Sequence, residues 1–94
     1  MARRRYLIAY DISEPRRLRR VCKTMEEYGE RLQYSVFICD LTRTELVHAR
    51  AKVEQEMNLD EDSIVIVDLG DPHRATFTFI GRHRPLPDAG VRII

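Results

Sequence analysis

The chain alternates wholly apolar runs with amphipathic stretches. Residues 5–12 contain Tyr6-Leu7-Ile8-Ala9-Tyr10, a run with no polar face, and then the carboxylate of Asp11. This pattern predicts a central first strand, covered on both sides. Ser13 suits a helix cap and Pro15 a first turn. Leu18, Val21, Cys22, Met25 and Tyr28 then recur at helical spacing and Gly29 is a natural stop, giving a first helix over residues 14–28. Residues 32–41 are β-rich and read as one strand or as two short ones broken near Ser35. Thr42 and Glu45 match a capping box, and Leu46, Ala49, Val53 and Met57 give a second helix, residues 43–57, its buried face. After an acidic turn at Asp60, Glu61 and Asp62, Ile64-Val65-Ile66-Val67 predicts another central strand. Residues 75–80 are β-prone, with Phe77 and Phe79 on one side and Thr76 and Thr78 on the other. Residues 81–94 read as a linker and an apolar terminal strand, Val91-Arg92-Ile93-Ile94, that adds to a sheet edge in this subunit or in a partner.

This order predicts a single α+β domain, a ferredoxin-like βαββαβ sandwich with an extra C-terminal strand. Two helices cover one face of such a sheet, yet the strands at 5–12 and 64–67 are apolar on both faces. The uncovered face is therefore the expected homodimer interface.

Composition narrows the class. With 94 residues, 44% hydrophobic and 33% charged, the chain suits a small folded domain rather than a disordered segment. No apolar run approaches the ~20 residues of a membrane helix, and the opening run is too short for a secretory signal. A cytoplasmic protein is expected; Cys22 and Cys39 then read as two reduced core thiols, with one disulfide as the alternative. The net charge of +1 conceals an asymmetry: residues 1–23 hold eight Lys or Arg against two acids, and residues 24–94 hold eight against thirteen. Fourteen of the sixteen cations are Arg, the side chain suited to bidentate phosphate contacts. Arg16, Arg20 and Lys23 lie off the apolar stripe of the first helix, near its positive dipole end, which favours anions.

These residues resemble a known family, the small CRISPR-associated nucleases of the "Cas two" family. The likeness rests on Tyr10-Asp11-Ile12 closing the first strand, the Arg-rich first helix, the run Tyr28-Gly29-Glu30-Arg31-Leu32-Gln33-Tyr34-Ser35-Val36-Phe37, and Asp60-Glu61-Asp62-Ser63-Ile64. It covers residues 5–69 closely. The resemblance implies a dimeric ferredoxin-like fold with two short strands in residues 31–41. It also implies a metal-dependent endonuclease acting on single-stranded RNA or double-stranded DNA during spacer acquisition. As an alternative it implies a non-catalytic scaffold that bridges the subunits of an integrase partner protein and holds DNA, with the terminal strand and the acidic turn as candidate contacts. A toxin-like ribonuclease of the same fold is a third reading.

Asp11 is the principal catalytic and metal-ligand candidate. In the nuclease reading it binds Mg²⁺, with Mn²⁺ as the substitute, and the metal polarises a phosphate and activates water. One carboxylate is thin for a hard cation, so two Asp11 side chains facing each other across a dimer axis complete the site. The bland alternative is a carboxylate that caps the strand-to-helix turn. Tyr10, Arg20, Arg31 and Phe37 correspond to positions important in the family, and Arg16 and Arg17 join Arg20 as candidate phosphate contacts. Tyr10 and Phe37 either stack a base or pack the core; the arginines either grip phosphates or are solvated. His48, His73 and His83 form no ligand set and read as surface residues, and Asp60, Glu61 and Asp62 read as a solvated turn. The aromatic RNP1 pattern of a ferredoxin-like RNA-binding module is missing from the third strand.

Overall fold

The computed structural model describes residues 2–82 and 91–93. The elements run β1 (Arg4–Asp11), α1 (Pro15–Tyr28), β2 (Glu30–Gln33), β3 (Val36–Leu41), α2 (Arg43–Glu56), β4 (Ser63–Gly70), β5 (Phe77–Phe79) and β6 (Val91–Ile93). The first four strands form one sheet in the order β2-β3-β1-β4, antiparallel at every step. This is the expected ferredoxin-like α+β arrangement. Residues 31–41 fall into two strands, separated by a turn at Tyr34 and Ser35. β6 pairs in parallel with β5 as a separate ribbon. Among the described residues no helix is long and apolar enough to cross a membrane.

Alternation along β1 decides what meets the helices. Tyr6, Ile8, Tyr10 and Ile12 are buried in one core with Val21 and Met25 of α1, Phe37, Cys39 and Leu41 of β3, and Ala49 and Val53 of α2. The residues between them fall on the other face. There Leu7 stands between Ile38 and Val67, and Ala9 between Val36 and Val65. Val65 and Val67 are 57% and 42% exposed, so this face is open at its β4 side. β4 itself departs from expectation: it lies at the sheet edge, not in the centre. Its apolar character has another cause. Ile64 and Ile66 line a cleft against Leu46, Val53 and Met57 on the helix side, while Val65 and Val67 occupy the open side.

Two local features of α1 also differ from the sequence reading. Its N-cap is Glu14, not Ser13, and the Glu14 carboxylate accepts from the backbone N–H groups of Arg16 and Arg17. Gly29 ends the helix in extended backbone rather than in a left-handed cap. Glycine is needed there for a different reason: a β-carbon would collide with Cys39 Sγ and the Ile38 carbonyl oxygen of β3. α2 begins as expected, with Glu45 N–H donating to Thr42 Oγ1 at 3.2 Å and Thr42 N–H to Glu45 Oε1 at 2.8 Å.

On the open face Arg5 is fully buried in spite of its charge. It forms a bidentate pair with Asp40, directly opposite on β3, at 2.7 and 2.8 Å, and lies 5.9 Å from the centre of the Phe77 ring. This contact seats β5 over one end of the sheet.

Candidate nucleic-acid interface

Asp11 is the last residue of β1. It is exposed, and register places it beside Ser63 of β4 on the open face, next in line to Ala9 and Val65. The turn that follows is held from below by Asp62, whose side chain is fully buried. Asp62 Oδ1 accepts from Ser13 N–H at 3.3 Å and from Ser13 Oγ at 3.4 Å, and Oδ2 accepts from Asn58 N–H at 2.8 Å. Arg17 completes the set, with Nε on Oδ2 at 2.8 Å and Nη2 on Oδ1 at 3.2 Å. The Arg17 guanidinium, and after it the N–H groups of Asn58 and Ser13, hold the Asp62 carboxyl down at about 2 against the opposing effect of burial. Asp62 is thus no solvated turn residue. It ties the β1–α1 turn, the start of α1 and the α2–β4 turn together beside Asp11 and Ser63. Nothing in the acidic run singles it out. The one available signal is its place immediately before β4, whose pairing with β1 brings it to the β1–α1 turn.

Tyr10, Phe37 and Arg31 are on the other side of the sheet. The Tyr10 and Phe37 rings stack with centroids 6.2 Å apart and planes 22° from parallel, and both are buried. The Arg31 guanidinium lies 5.6 Å from the Phe37 centroid and donates through Nη2 to Cys22 Sγ. Burial first, and the adjacent Cys22 sulfur second, raise the Tyr10 phenol above its ordinary range. The aromatics therefore pack the core, and neither they nor Arg31 stand on the face that carries Asp11.

The basic segment divides as well. Arg3, Arg4, Arg5 and Arg17 pair with Glu45, Asp68, Asp40 and Asp62, all drawn from the acidic remainder of the chain. Arg17 is therefore structural rather than a free phosphate grip. The helix start, expected to favour an external anion, is filled by Glu14. Arg16, Arg19, Arg20 and Lys23 remain exposed on α1 and form no ion pair with a described residue. His48 and His73 are exposed, as expected, and His83 lies outside the described residues.

Among the described residues no group of three or more His, Cys, Asp and Glu side chains converges to hold a metal ion. A hard divalent cation takes about six oxygen ligands, several of them water when the ion is Mg²⁺. Asp11 has the right donor chemistry and is exposed, but one chain offers a single carboxylate. A cavity of about 520 Å³ between α2 and β4 is lined mainly by apolar side chains, with Arg50, Glu54, Asp62 and Ser63 among them, and does not touch Asp11.

The structure thus joins an antiparallel ferredoxin-like sheet, an exposed acid at the end of its first strand, an apolar face open at its β4 side and a first helix with exposed arginines. The chain belongs to the family described as CRISPR associated protein Cas2, whose profile matches residues 4–76. The CRISPR-associated endoribonuclease Cas2 of Geobacter sulfurreducens is 43% identical over 65 residues, 69% of this chain and 68% of that protein. A second relative of that name, from Thermodesulfovibrio yellowstonii, is 36% identical over 88 residues, covering 94% of this chain and 93% of its own. Among solved structures, hypothetical protein TT1823 from Thermus thermophilus superposes with a TM-score of 0.81 at 27% identity, over 89% of this chain and 98% of that one. Streptococcus pyogenes Cas2 superposes at 0.67 with 35% identity, over 70% of this chain and 86% of its own.

Proposed function

We propose that this protein is a CRISPR-associated endonuclease that cleaves RNA phosphodiester bonds and works as a homodimer joined through the open sheet face. The carrying observation is the position of Asp11. It is the exposed acid at the end of a strip formed by Leu7, Ala9, Val65 and Val67, a strip that water otherwise covers. Burying the exposed half of each valine is worth about 1 kcal/mol, so pairing this face with its copy is favourable, and a two-fold axis near Ala9 brings two Asp11 carboxylates toward each other. The pair supplies what one chain lacks. Mg²⁺, or Mn²⁺ in its place, contributes Lewis acidity at the scissile phosphate when bound. The protein's own residues do the rest. Asp11 presents its carboxylate, Asp62 and Ser13 fix the turn behind it, and Arg16 and Arg20 hold flanking phosphates.

The relatives named above are called endoribonucleases, which favours RNA over duplex DNA as substrate. Action in spacer acquisition, with an integrase partner protein docking on the dimer, is part of the same proposal. The test is cleavage of single-stranded RNA and of duplex DNA, with Mg²⁺ and with chelator, by the wild-type protein and by Asp11→Ala. Metal-dependent cleavage that Asp11→Ala abolishes while the variant still dimerises supports the assignment; undiminished cleavage by a dimeric Asp11→Ala protein sinks it.

A further inference from the structure

On the helix side of the sheet, a cavity of about 360 Å³ opens between α1 and the β2 edge. Tyr10, Cys22 and Arg31 line its inner part, and Arg19, Lys23 and Tyr34 its mouth. Cys22 is a free, half-buried thiol whose sulfur accepts from Arg31 Nη2. Two further donors face the same space without a partner among the described residues: the Tyr10 hydroxyl, on a residue only 5% exposed, and Arg31 Nε. Buried donors of this kind are rare unless something satisfies them. The three cations face one acid, Glu26, on the cavity wall. The surplus of positive charge around the sulfur raises the local concentration of anions. Cys39 has none of these features. It is fully buried, and burial, with Asp40 adding to it, pushes its thiol up to about 12.

We propose that Cys22 is a modification site that takes a negatively charged low-molecular-weight disulfide. The thiol proton passes to solvent, and the thiolate attacks one sulfur of the disulfide. A new bond forms between that sulfur and Cys22 Sγ as the old S–S bond breaks, and the second sulfur departs as a thiolate with the electron pair. Cys22 is oxidised to a mixed disulfide and the small disulfide is reduced. Arg31 donates to the attacking sulfur and orients it. Arg19 and Lys23 draw in the anionic groups of the reagent, and the Tyr10 hydroxyl and Arg31 Nε donate to acceptor atoms of the bound adduct. The site lies across the sheet from Asp11 and stands whether or not the chain is a nuclease.

The test treats the reduced full-length protein with an anionic disulfide, dithiobis-nitrobenzoate, and a neutral one, dithiodipyridine. Released thiol and intact mass are followed, and each rate is divided by that of a free model thiol. A single adduct at Cys22, absent from Cys22→Ser, is expected. The normalised rate should be about tenfold higher for the anionic reagent and should fall as salt is added. Arg19→Glu with Lys23→Glu, both at exposed positions, should remove that preference and leave the neutral rate unchanged. Labelling at Cys39 first, no adduct on the folded chain, or an anionic preference that survives the double charge reversal would overturn the proposal.

Discussion

Tyr10 and Asp11 are neighbours in sequence and lie on opposite faces of the sheet. Strand alternation sends the phenol into the helix-side core against Phe37 and leaves the carboxylate exposed beside Ser63. What reads along the chain as one Tyr-Asp motif is two devices in space: an aromatic that builds the fold and an acid available for chemistry.

The separation predicts different behaviour for conservative and drastic changes at Tyr10. The hydroxyl is buried without a hydrogen-bond partner, so Tyr10→Phe should leave stability unchanged or raise it by about 1 kcal/mol. Tyr10→Ala should cost about 3–5 kcal/mol, as the loss of a buried aromatic does. Urea unfolding measures both. Since Tyr10 does not share a face with Asp11, Tyr10→Phe should also keep full cleavage activity.

Asp62 should give the protein an acid limb of instability. Its folded-state value is depressed to about 2, below the ~3.9 of an unfolded Asp. Between those values the unfolded chain binds more protons, so stability rises with pH through that window. The contribution is complete above about pH 4 and is lost as pH falls through about 2. Asp62→Asn should be less stable than wild type at neutral pH, and the gap should close on acidification across the same window. A gap that stays constant from neutral pH down to strong acid would contradict the role given to this carboxylate.

Gly29→Ala should destabilise even though its backbone is ordinary extended chain. The added methyl group meets both Cys39 Sγ and the Ile38 carbonyl oxygen. Overpacking of this kind costs about 1–3 kcal/mol, read as a lower urea midpoint. Cys39→Ala should not rescue it in full, because the backbone oxygen remains.

These cases show why the fold was more legible than the site. Apolar runs, the Thr42–Glu45 box and the helical stripe from Leu18 to Tyr28 are local signals, and each produced the element it predicted. Pairing of charges is not local. Arg5 met Asp40 and Arg17 met Asp62 only because the sheet and its loops brought residues 35 and 45 positions apart together. Before folding, those arginines looked the same as Arg16 and Arg20. The edge position of β4 was hidden for a related reason, since an apolar strand records that both faces avoid water and does not say which neighbour covers them.

The division of the arginines is itself testable. Arg16→Glu with Arg20→Glu should weaken nucleic-acid binding across sequences, with little change in stability. The dependence of log affinity on log salt should flatten by about 1 for each phosphate that is no longer neutralised. Arg17→Glu should act the other way: it places a second carboxylate against Asp62 and should unfold the protein at milder urea before any binding defect can be isolated. Equal effects of the two changes on binding, at equal stability, would show that Arg17 is not structural.

The central claim is that each catalytic site needs Asp11 from two chains, and subunit mixing measures this most directly. Wild type and Asp11→Ala are combined at equal amounts, allowed to exchange subunits, and assayed for metal-dependent RNA cleavage. If two Asp11 carboxylates are required, only wild-type pairs are active. The rate per total dimer then falls to about one quarter of the wild-type rate, the statistical share of those pairs in a two-fold dimer. A rate that falls only to about one half, in proportion to the wild-type chains present, would mean that each Asp11 acts alone and would contradict a site shared across the open face.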